Sequence, residues 1–234
     1  MLTIGLIGGM SWESTVPYYQ IINQAVKEKL GGLHSAKIVV YSVDFDEIQR
    51  AQHDGDWATT AQLLGQAANS LRLAGADFFL IATNTMHKVA DEVQGVAGIP
   101  LLHVVDVLAA EIKRQEIGKI GLLGTRFTME HDFYRARLAA NGIDSVIPNL
   151  TDRNTVHRVI YEELCLGQVR DQSRFAYREI MQRMIDDGAE GIVLGCTEIA
   201  MLVGQADCPV PVFDTTEIHA RAAVDYALAK SPAQ

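Results

Sequence analysis

Two copies of one sequence pattern lie in this chain, and the duplication limits its possible folds more than any other feature does. Residues 75–85 read Gly-Ala-Asp-Phe-Phe-Leu-Ile-Ala-Thr-Asn-Thr, and they align without a gap on residues 188–198, which read Gly-Ala-Glu-Gly-Ile-Val-Leu-Gly-Cys-Thr-Glu. Upstream, Ile-Gly-Leu-Ile-Gly at 4–8 matches Ile-Gly-Leu-Leu-Gly at 120–124. Repeats in the same order and at nearly the same offset indicate a duplicated structural unit.

Short apolar runs alternate with helix-length segments throughout the chain. Continuous runs rich in Val, Ile and Leu are typical of strands that are buried on both faces of a parallel sheet. The pattern therefore predicts an α/β fold with two similar, doubly wound parallel-sheet domains related by internal duplication, and an active site in the cleft between them. The predicted strands are 3–7, 37–43, 77–82, 101–105, 119–123, 145–147, 191–195 and 210–213.

The same pattern predicts where the domains begin and end. We expect the first domain to span 1–98 and the second 99–208, with a boundary at Gly98-Ile99-Pro100. Because the second repeat is complete by Gly204, we expect residues 209–234 to cross back to the first domain.

Composition excludes several classes of function. The chain has 234 residues, 48% of them hydrophobic and 21% charged, which is ordinary globular composition. Its apolar stretches are shorter than the roughly 20 residues of a membrane span, and its N-terminus lacks a basic leader region, so we expect a cytoplasmic protein without a membrane partner. A net charge of −9 without a basic patch argues against nucleic acid as a partner.

Two reactive side chains occupy matching places in the repeats. Thr83 and Cys196 each follow a predicted strand directly, and ligands of open α/β sheets bind at the carboxyl ends of strands. We expect them to face one substrate from opposite sides, as proton transfer at a stereocentre requires. Cys196 is predicted to be catalytic, with a thiol pKa lowered by a following helix N-terminus. Cys165 and Cys208 are interpreted as structural thiols.

Small polar residues around these positions are predicted to bind the substrate. The turn after the first strand offers backbone N–H groups to a carboxylate. Glu198 is either an acid at a helix start or a partner for a substrate ammonium group, and His87 is either a substrate ligand or a residue of a helix start. The predicted substrate-binding residues are Met10, Ser11, Asn84, Thr85, Thr125, Thr128, Thr197 and Glu198.

Cofactor signatures are missing from the sequence. The Gly8-Gly9-Met10-Ser11 turn lacks the GxGxxG spacing, and no GxxxxGK[ST] motif occurs. The three cysteines form no CxxC pair and the histidines no HxH or HxxxH pair. We therefore expect neither a nucleotide, nor a metal, nor any other cofactor.

With these motifs the chain resembles the aspartate/glutamate racemase family, essentially from end to end. Similarity is greatest to its enterobacterial, L-aspartate/glutamate-specific or broad-specificity amino-acid racemase branch, through Gly8-Gly9-Met10, residues 83–87 (Thr-Asn-Thr-Met-His) and residues 195–198 (Gly-Cys-Thr-Glu). The resemblance implies a cofactor-independent isomerase, often a homodimer, whose active site lies between two α/β domains. In the family, two cysteines flank the substrate Cα.

Thr83 departs from the family pattern because it stands where the first catalytic cysteine would be. The resemblance then implies that Cys196, as a thiolate, removes the Cα proton of L-aspartate, L-glutamate or a broader set of L-amino acids. Cell-wall glutamate racemases fit less well, since they carry Asp-Ser-Gly near the N-terminus and a histidine after Cys-Thr, where this chain has Gly8-Gly9-Met10 and Glu198.

Other functions stay open at this point. Hydantoin racemases, maleate isomerases and arylmalonate decarboxylases share the fold of the family. A two-lobed binding protein would carry an export signal and need no thiolate, and a nucleotide-binding regulator would need the missing fingerprint.

Overall fold

The computed structural model describes residues 1–229, which form two compact units. The first unit contains Met1–Val104 together with the C-terminal segment that begins at His219. The second unit contains Val105–Ile218. The chain therefore leaves the first unit once and returns to it.

The first unit is built around a three-stranded parallel sheet in the order β2-β1-β3. Its elements are β1 (Ile4–Gly8), α1 (Trp12–Leu30), β2 (Ile38–Ser42), α2 (Phe45–His53), α3 (Trp57–Leu73), β3 (Phe78–Ile81) and α4 (Ala90–Ala97), with a 3₁₀ helix at Thr85–Val89.

Both faces of this sheet are covered. Phe79 and Ile81 pack into a core with α3 and α4, whereas Phe78 and Leu80 pack against α1 and the C-terminal helix. Side chains alternate between faces along a strand, so a continuous apolar run serves two cores at once.

The second unit contains a four-stranded parallel sheet in the order β5-β4-β6-β7. Its elements are α5 (Val104–Arg114), β4 (Lys119–Gly124), α6 (Arg126–Glu130), α7 (Asp132–Ala140), β5 (Asp144–Val146), α8 (Leu150–Glu162), α9 (Asp171–Asp186), β6 (Gly191–Gly195) and β7 (Val212–Asp214), with 3₁₀ helices at Leu164–Leu166, Ile199–Met201 and Gln205–Asp207. The last helix, α10 (Thr215–Ala229), begins in the second unit and belongs to the first unit from His219 onward. Among the helices of residues 1–229, none is both long and apolar enough to cross a membrane.

The predicted α/β fold with two parallel sheets is confirmed, and the duplication extends to single hydrogen bonds. The N–H of Phe79 donates to the carbonyl of Pro100 at 2.9 Å, and the N–H of Ile192 donates to the carbonyl of Pro211 at 2.8 Å. Phe79 and Ile192 are the fifth residues of the two aligned repeats. The same backbone contact therefore recurs in each unit.

One predicted strand is wrong. Of the run 101–105, only Leu101 bridges to Phe79, and helix α5 begins at Val104. The fully buried residues Val105, Leu108 and Ile112 recur at helical spacing, so the apolar run continues into a helix and not along the sheet.

The domain limits differ from those expected. The first unit extends to Val104, beyond the predicted limit at 98. Strand β7 pairs with β6, with Val193 opposite Phe213, so the segment from 209 to 218 belongs to the second unit. The return to the first unit occurs at His219, inside α10, because the buried Phe213 extends the second sheet. Residues 230–234 of the predicted crossing segment lie outside the described residues.

Candidate functional site

In the first unit, β1 and β3 bring two predicted segments to one edge of the sheet. The N–H of Ala82 donates to the carbonyl of Ile7 at 2.9 Å, which holds the ends of the two strands together. The turn with Met10 and Ser11 follows β1, and Thr83 follows Ala82. These segments therefore share the edge at which parallel sheets bind ligands.

The turn after β1 is tied to the start of α1. The N–H of Gly9 donates to the Thr15 hydroxyl at 2.8 Å, and the Ser11 hydroxyl accepts the N–H of Ser14 at 3.4 Å as the helix cap. The Met10 side chain is buried in the apolar core. Hence Met10 could meet a substrate only through its backbone.

Asn84, Thr85 and His87 are buried, whereas Thr83 is partly exposed. His87 Nε2 accepts the N–H of Val104 at 3.3 Å, which assigns the ring proton to Nδ1. Nδ1 then donates to the carbonyl of Thr83 at 2.8 Å. His87 therefore binds the backbone of Thr83 and helps to fix that residue at the end of β3.

Two further histidines lie beside His87, and no pattern in the sequence indicates this histidine cluster (His87, His103, His219). The ring centroids of His103 and His219 are 4.5 and 5.9 Å from that of His87. His219 Nε2 donates to the Leu102 carbonyl at 2.8 Å, and its Nδ1 accepts the Tyr18 hydroxyl at 3.0 Å. Burial lowers the pKa of His219 to about 4.

In the second unit, β4 and β6 bring Thr125 and Cys196 to the matching edge. Gly124 pairs with Gly195, and each predicted site residue follows one of these glycines. Thr125 caps α6 by accepting the N–H of Thr128 at 3.3 Å, and the two hydroxyl oxygens are 3.3 Å apart. Both threonines are buried. The helix cap lies at Thr125, next to the end of β4.

The thiol of Cys196 contacts a carboxylate. Its Sγ donates to Glu198 Oε2 at 2.9 Å, and the Thr197 hydroxyl donates to the same oxygen at 2.8 Å. Glu198 is buried, with 4% of its surface exposed. The three consecutive side chains therefore form one hydrogen-bonded group, the Cys-Thr-Glu group (Cys196, Thr197, Glu198).

The expectation of a lowered thiol pKa is wrong. Desolvation by burial, and then the adjacent Glu198 carboxylate, raise the pKa of the Cys196 thiol well above its usual value. The chain after Glu198 forms only the three-residue 3₁₀ helix Ile199–Met201, too short to offset the acid beside the thiol.

Sequence reasoning missed a second buried carboxylate in this unit. Glu163 is 2% exposed, accepts the Ser173 hydroxyl at 2.5 Å and pairs with Arg158 at 3.0 Å. Burial first of all, with the negative charge of Glu163 adding to it, raises the pKa of the Tyr177 phenol well above its usual value. In the sequence, Glu163 looks like an ordinary solvent-facing acid at a helix end.

The sequence also contains a signal for a third polar segment at a strand end, residues 214–216. Asp214 ends β7, where burial raises its pKa, and the Thr215 hydroxyl donates to the Leu194 carbonyl at 2.8 Å. The rule that selected Thr83 and Cys196, a polar cluster directly after an apolar run, also selects residues 214–216.

Within residues 1–229, no three His, Cys, Asp or Glu side chains come together in a group that could hold a metal ion. In the histidine cluster, both ring nitrogens of His87 and of His219 are engaged in hydrogen bonds within the first unit.

The predicted residues thus form two groups, one in each unit. The group of the first unit comprises Met10, Ser11, Thr83, Asn84 and Thr85, and that of the second comprises Thr125, Thr128, Cys196, Thr197 and Glu198.

Comparison with known proteins identifies the family. The Asp/Glu/hydantoin racemase family matches residues 7–223. A crystal structure from Yersinia pestis, described as a candidate Asp/Glu racemase, is 59% identical with a TM-score of 0.92, covering 97% of this chain and 100% of that one. An aspartate racemase homologue from Pyrococcus horikoshii OT3 is 36% identical with a TM-score of 0.86, at 97% and 100% coverage.

A curated relative supports the same conclusion. The broad specificity amino-acid racemase of Bacillus subtilis (strain 168) is 24% identical over 241 residues, which cover 97% of this chain and 98% of that protein. Since the family match and these relatives span nearly the whole chain, the chain belongs to the Asp/Glu/hydantoin racemase family and is an isomerase.

Proposed function

We propose that this protein is an amino-acid racemase that acts on L-aspartate or L-glutamate without pyridoxal phosphate or metal. The observation that carries the proposal is the pair of equivalent positions, Thr83 after β3 and Cys196 after β6. The similarity to structures described as aspartate or Asp/Glu racemases supports the choice of substrate. A small-molecule amino acid is then the partner that the site binds.

In the proposed reaction, Cys196 removes the Cα proton of the L-enantiomer. An amino-acid Cα proton is very weakly acidic, so the site must stabilise the carbanion-like transition state more than the ground state. Donors that aim at the α-carboxylate as it gains enolate character would supply this stabilisation. The candidates are the backbone at Met10 and Ser11 and the side chains of Asn84, Thr85, Thr125, Thr128 and Thr197.

Thr83 would return a proton to the opposite face, directly or through a water molecule. A threonine hydroxyl is far too weak an acid to form a base at neutral pH, so it cannot start the reaction from a D-amino acid as a thiolate could. The equilibrium constant between enantiomers is one, so the two kcat/KM values must be equal. The asymmetry must therefore be found in the separate kcat and KM values.

The decisive experiment is incubation of the purified protein with a panel of L- and D-amino acids, read by chiral chromatography and by Cα-deuterium exchange. We expect L-aspartate or L-glutamate to racemise and to exchange in deuterated water. Activity should survive a chelator and a carbonyl reagent, and a thiol alkylator should abolish it. A loss of activity on chelation, reversed when a divalent ion is added, would contradict the metal-free mechanism.

Related reactions on this fold provide the alternatives. A hydantoin racemase, a maleate isomerase or an arylmalonate-decarboxylase-like enzyme would use the same sheet edges but leave free amino acids unchanged. The same assay with a hydantoin, maleate and an arylmalonate separates these candidates, because each gives a different product.

We further propose that the protein forms a homodimer, as the family resemblance implies. The side chains of Trp12, Val16 and Tyr19 are exposed on one face of α1. Their spacing of four and three residues makes them neighbours on the helix surface, which supports association through this face. Sedimentation velocity should show a dimer that Tyr19→Glu weakens, and a wild-type monomer at micromolar concentration would refute the proposal.

A further inference from the structure

A groove outside the candidate site runs along α7 in the second unit. Its volume of about 610 Å³ is in the range of small-molecule sites in proteins. One face of α7 lines it, since Asp132, Arg135 and Ala139 recur at helical spacing. The rest of the lining comes from Ile143, the first residues of β5, and Lys119 at the start of β4.

This groove opens at the end of the sheet opposite to the candidate site. Lys119 and Asp144 pair with each other where β4 and β5 begin. Thr125 and Cys196 follow Gly124 and Gly195, where β4 and β6 end. At about 3.3 Å per residue, the two ends of β4 are roughly 16 Å apart. A small molecule bound beside Lys119 and Asp144 would therefore not touch Thr125 or Cys196.

Three charged side chains of the groove have no protein partner. In the part of the chain that the structure describes, the side chains of Asp132, Arg135 and Asp144 make neither a hydrogen bond nor an ion pair. Arg135 Nε is shielded from solvent and still lacks an acceptor, which is rare for a buried donor. On the same helix, Arg137 binds both carboxylate oxygens of Asp106, each at 2.7 Å.

The groove carries charges of both signs. Arg135 and Lys119 are cations, and Lys119 Nζ keeps further donors besides the one that binds the carbonyl of Asp187 at 2.8 Å. Asp132 and Asp144 are anions. The two acids would repel a simple anion, and the two cations would repel a simple cation. A molecule that carries both a carboxylate and an ammonium group complements both sets of charges.

We infer that this groove binds a free α-amino acid in its zwitterionic form. The carboxylate of the amino acid accepts hydrogen bonds from the guanidinium of Arg135, whose fork of donors suits a carboxylate. The ammonium group donates to Asp144 or to Asp132. The inference is independent of the proposed racemase activity, because it uses none of the residues of the candidate site.

The remaining lining residues leave room for the side chain of the amino acid. Ala136 and Ala139 present only methyl groups to the groove, and Ile143 is buried. Lys119 and the hydroxyl of Ser145 can bind a polar side chain, so acidic amino acids fit as well as small neutral ones. The protein would then bind an amino acid at a place where no conversion occurs.

Glycine is the probe that tests the inference, because it is a zwitterion without a stereocentre and cannot be racemised. Two-dimensional ¹H–¹⁵N spectra of the arginine Nε–H groups observe the proposed carboxylate partner directly. We expect the Arg135 signal, assigned by its loss in Arg135→Lys, to shift to a limiting value with a millimolar dissociation constant. The Arg137 signal is the internal control and should stay in place, since Asp106 already occupies that guanidinium.

Acetate and methylamine each carry one half of the zwitterion. At the same ionic strength, both should bind at least about tenfold more weakly than glycine, because each lacks one charge-assisted hydrogen bond. Acetate that shifts the Arg135 signal with the affinity of glycine would overturn the inference in favour of a simple anion site.

Variants of the two acids test the ammonium contact. At least one of Asp132→Asn and Asp144→Asn should weaken glycine binding about tenfold without weakening that of acetate. Asp186→Asn is the matched control, since it removes an exposed acid that binds Gln182 on α9, outside the groove. Glycine binding that neither groove variant weakens would overturn the inference. So would an Arg135 signal that does not saturate or that moves together with the Arg137 signal.

Discussion

The two units of this protein share backbone details but differ in their buried polar chemistry. Gly75 and Gly188 both have φ of 92° and both end a helix before the repeat strand. Asp77 and Glu190 each bind the N–H at the start of the neighbouring strand, Thr3 at 2.6 Å and Gly118 at 2.8 Å. The two units therefore keep the same residue types where the backbone geometry requires them, a glycine at positive φ and an acid that binds the neighbouring strand.

The polar residues near the site edge follow no such symmetry. The first unit buries the three neighbouring rings of the histidine cluster. The second unit buries the carboxylates of Glu163 and Glu198 and places Cys196 beside one of them. The comparison teaches that a conserved backbone can carry a thiol and acid in one copy and a hydroxyl and imidazoles in the other.

The largest effect should come from removing the thiol of the second unit. Cys196→Ser replaces it with a hydroxyl like that of Thr83, so both units would lack a base, and kcat should fall on the order of 10⁴-fold. Circular dichroism should report an intact fold. Cys208→Ser, at the buried cysteine outside the site, should retain activity. Near-native Cα-deuterium exchange by Cys196→Ser would contradict the assignment of the base.

The buried histidine of the first unit should control stability in acid. His219 has a folded pKa of about 4 because of burial, below the ordinary value of 6.5. Its full contribution is present above pH 6.5, and as the pH falls from 6.5 to 4 the unfolded state binds a proton first. Roughly 3 kcal/mol of unfolding free energy should be lost over this range.

Urea unfolding at several pH values measures this loss. His219→Gln should flatten the pH dependence between 6.5 and 4.5. His157→Gln in the second unit should flatten it less, since burial lowers the pKa of that half-buried ring to a smaller extent. The exposed His53→Gln serves as the control. Equal slopes in all three variants would show that the histidine cluster does not titrate as inferred.

Placing a thiol in both units should increase turnover of D-amino acids. Thr83→Cys supplies a thiol where the first unit has a hydroxyl, and kcat for a D-substrate should rise about 10- to 100-fold relative to wild type. Chiral chromatography from pure D- and pure L-substrate gives both values. A wild type that already handles both enantiomers with similar kcat, together with no gain in the variant, would contradict the one-sided mechanism.

The smallest effect tests the symmetry of the backbone. Gly75→Ala and Gly188→Ala each place a Cβ on a residue with positive φ, so each should destabilise the protein by about 1–2 kcal/mol. Gly95→Ala lies inside α4 with open space around it and should stabilise slightly. Thermal unfolding measures all three. Clearly unequal losses for Gly75 and Gly188 would mean that the two turns are not equivalent.

Much of the fold could be predicted because it depends on local patterns. The apolar runs predicted the strands β1, β3, β4 and β6, and the repeat predicted that the two units are equivalent. The strand predicted at 101–105 is wrong because an apolar stretch of that length fits both a strand and the first turns of a helix. The chain returns to the first unit at His219 and not at the predicted residue 209, because the pairing of Phe213 with a distant strand leaves no local signal in the sequence.

For the site, sequence alone determined the positions and the tertiary structure decided the chemistry. The place of Thr83 and Cys196 at strand ends follows from the repeat, since strand ends and turns leave a local signature. Three features leave no local signature in the sequence. They are the clustering of His87, His103 and His219, the burial of Glu163, and the direction of the Cys196 pKa shift. A pKa depends on desolvation and on charges within a few ångströms, and these are fixed only when distant segments pack together.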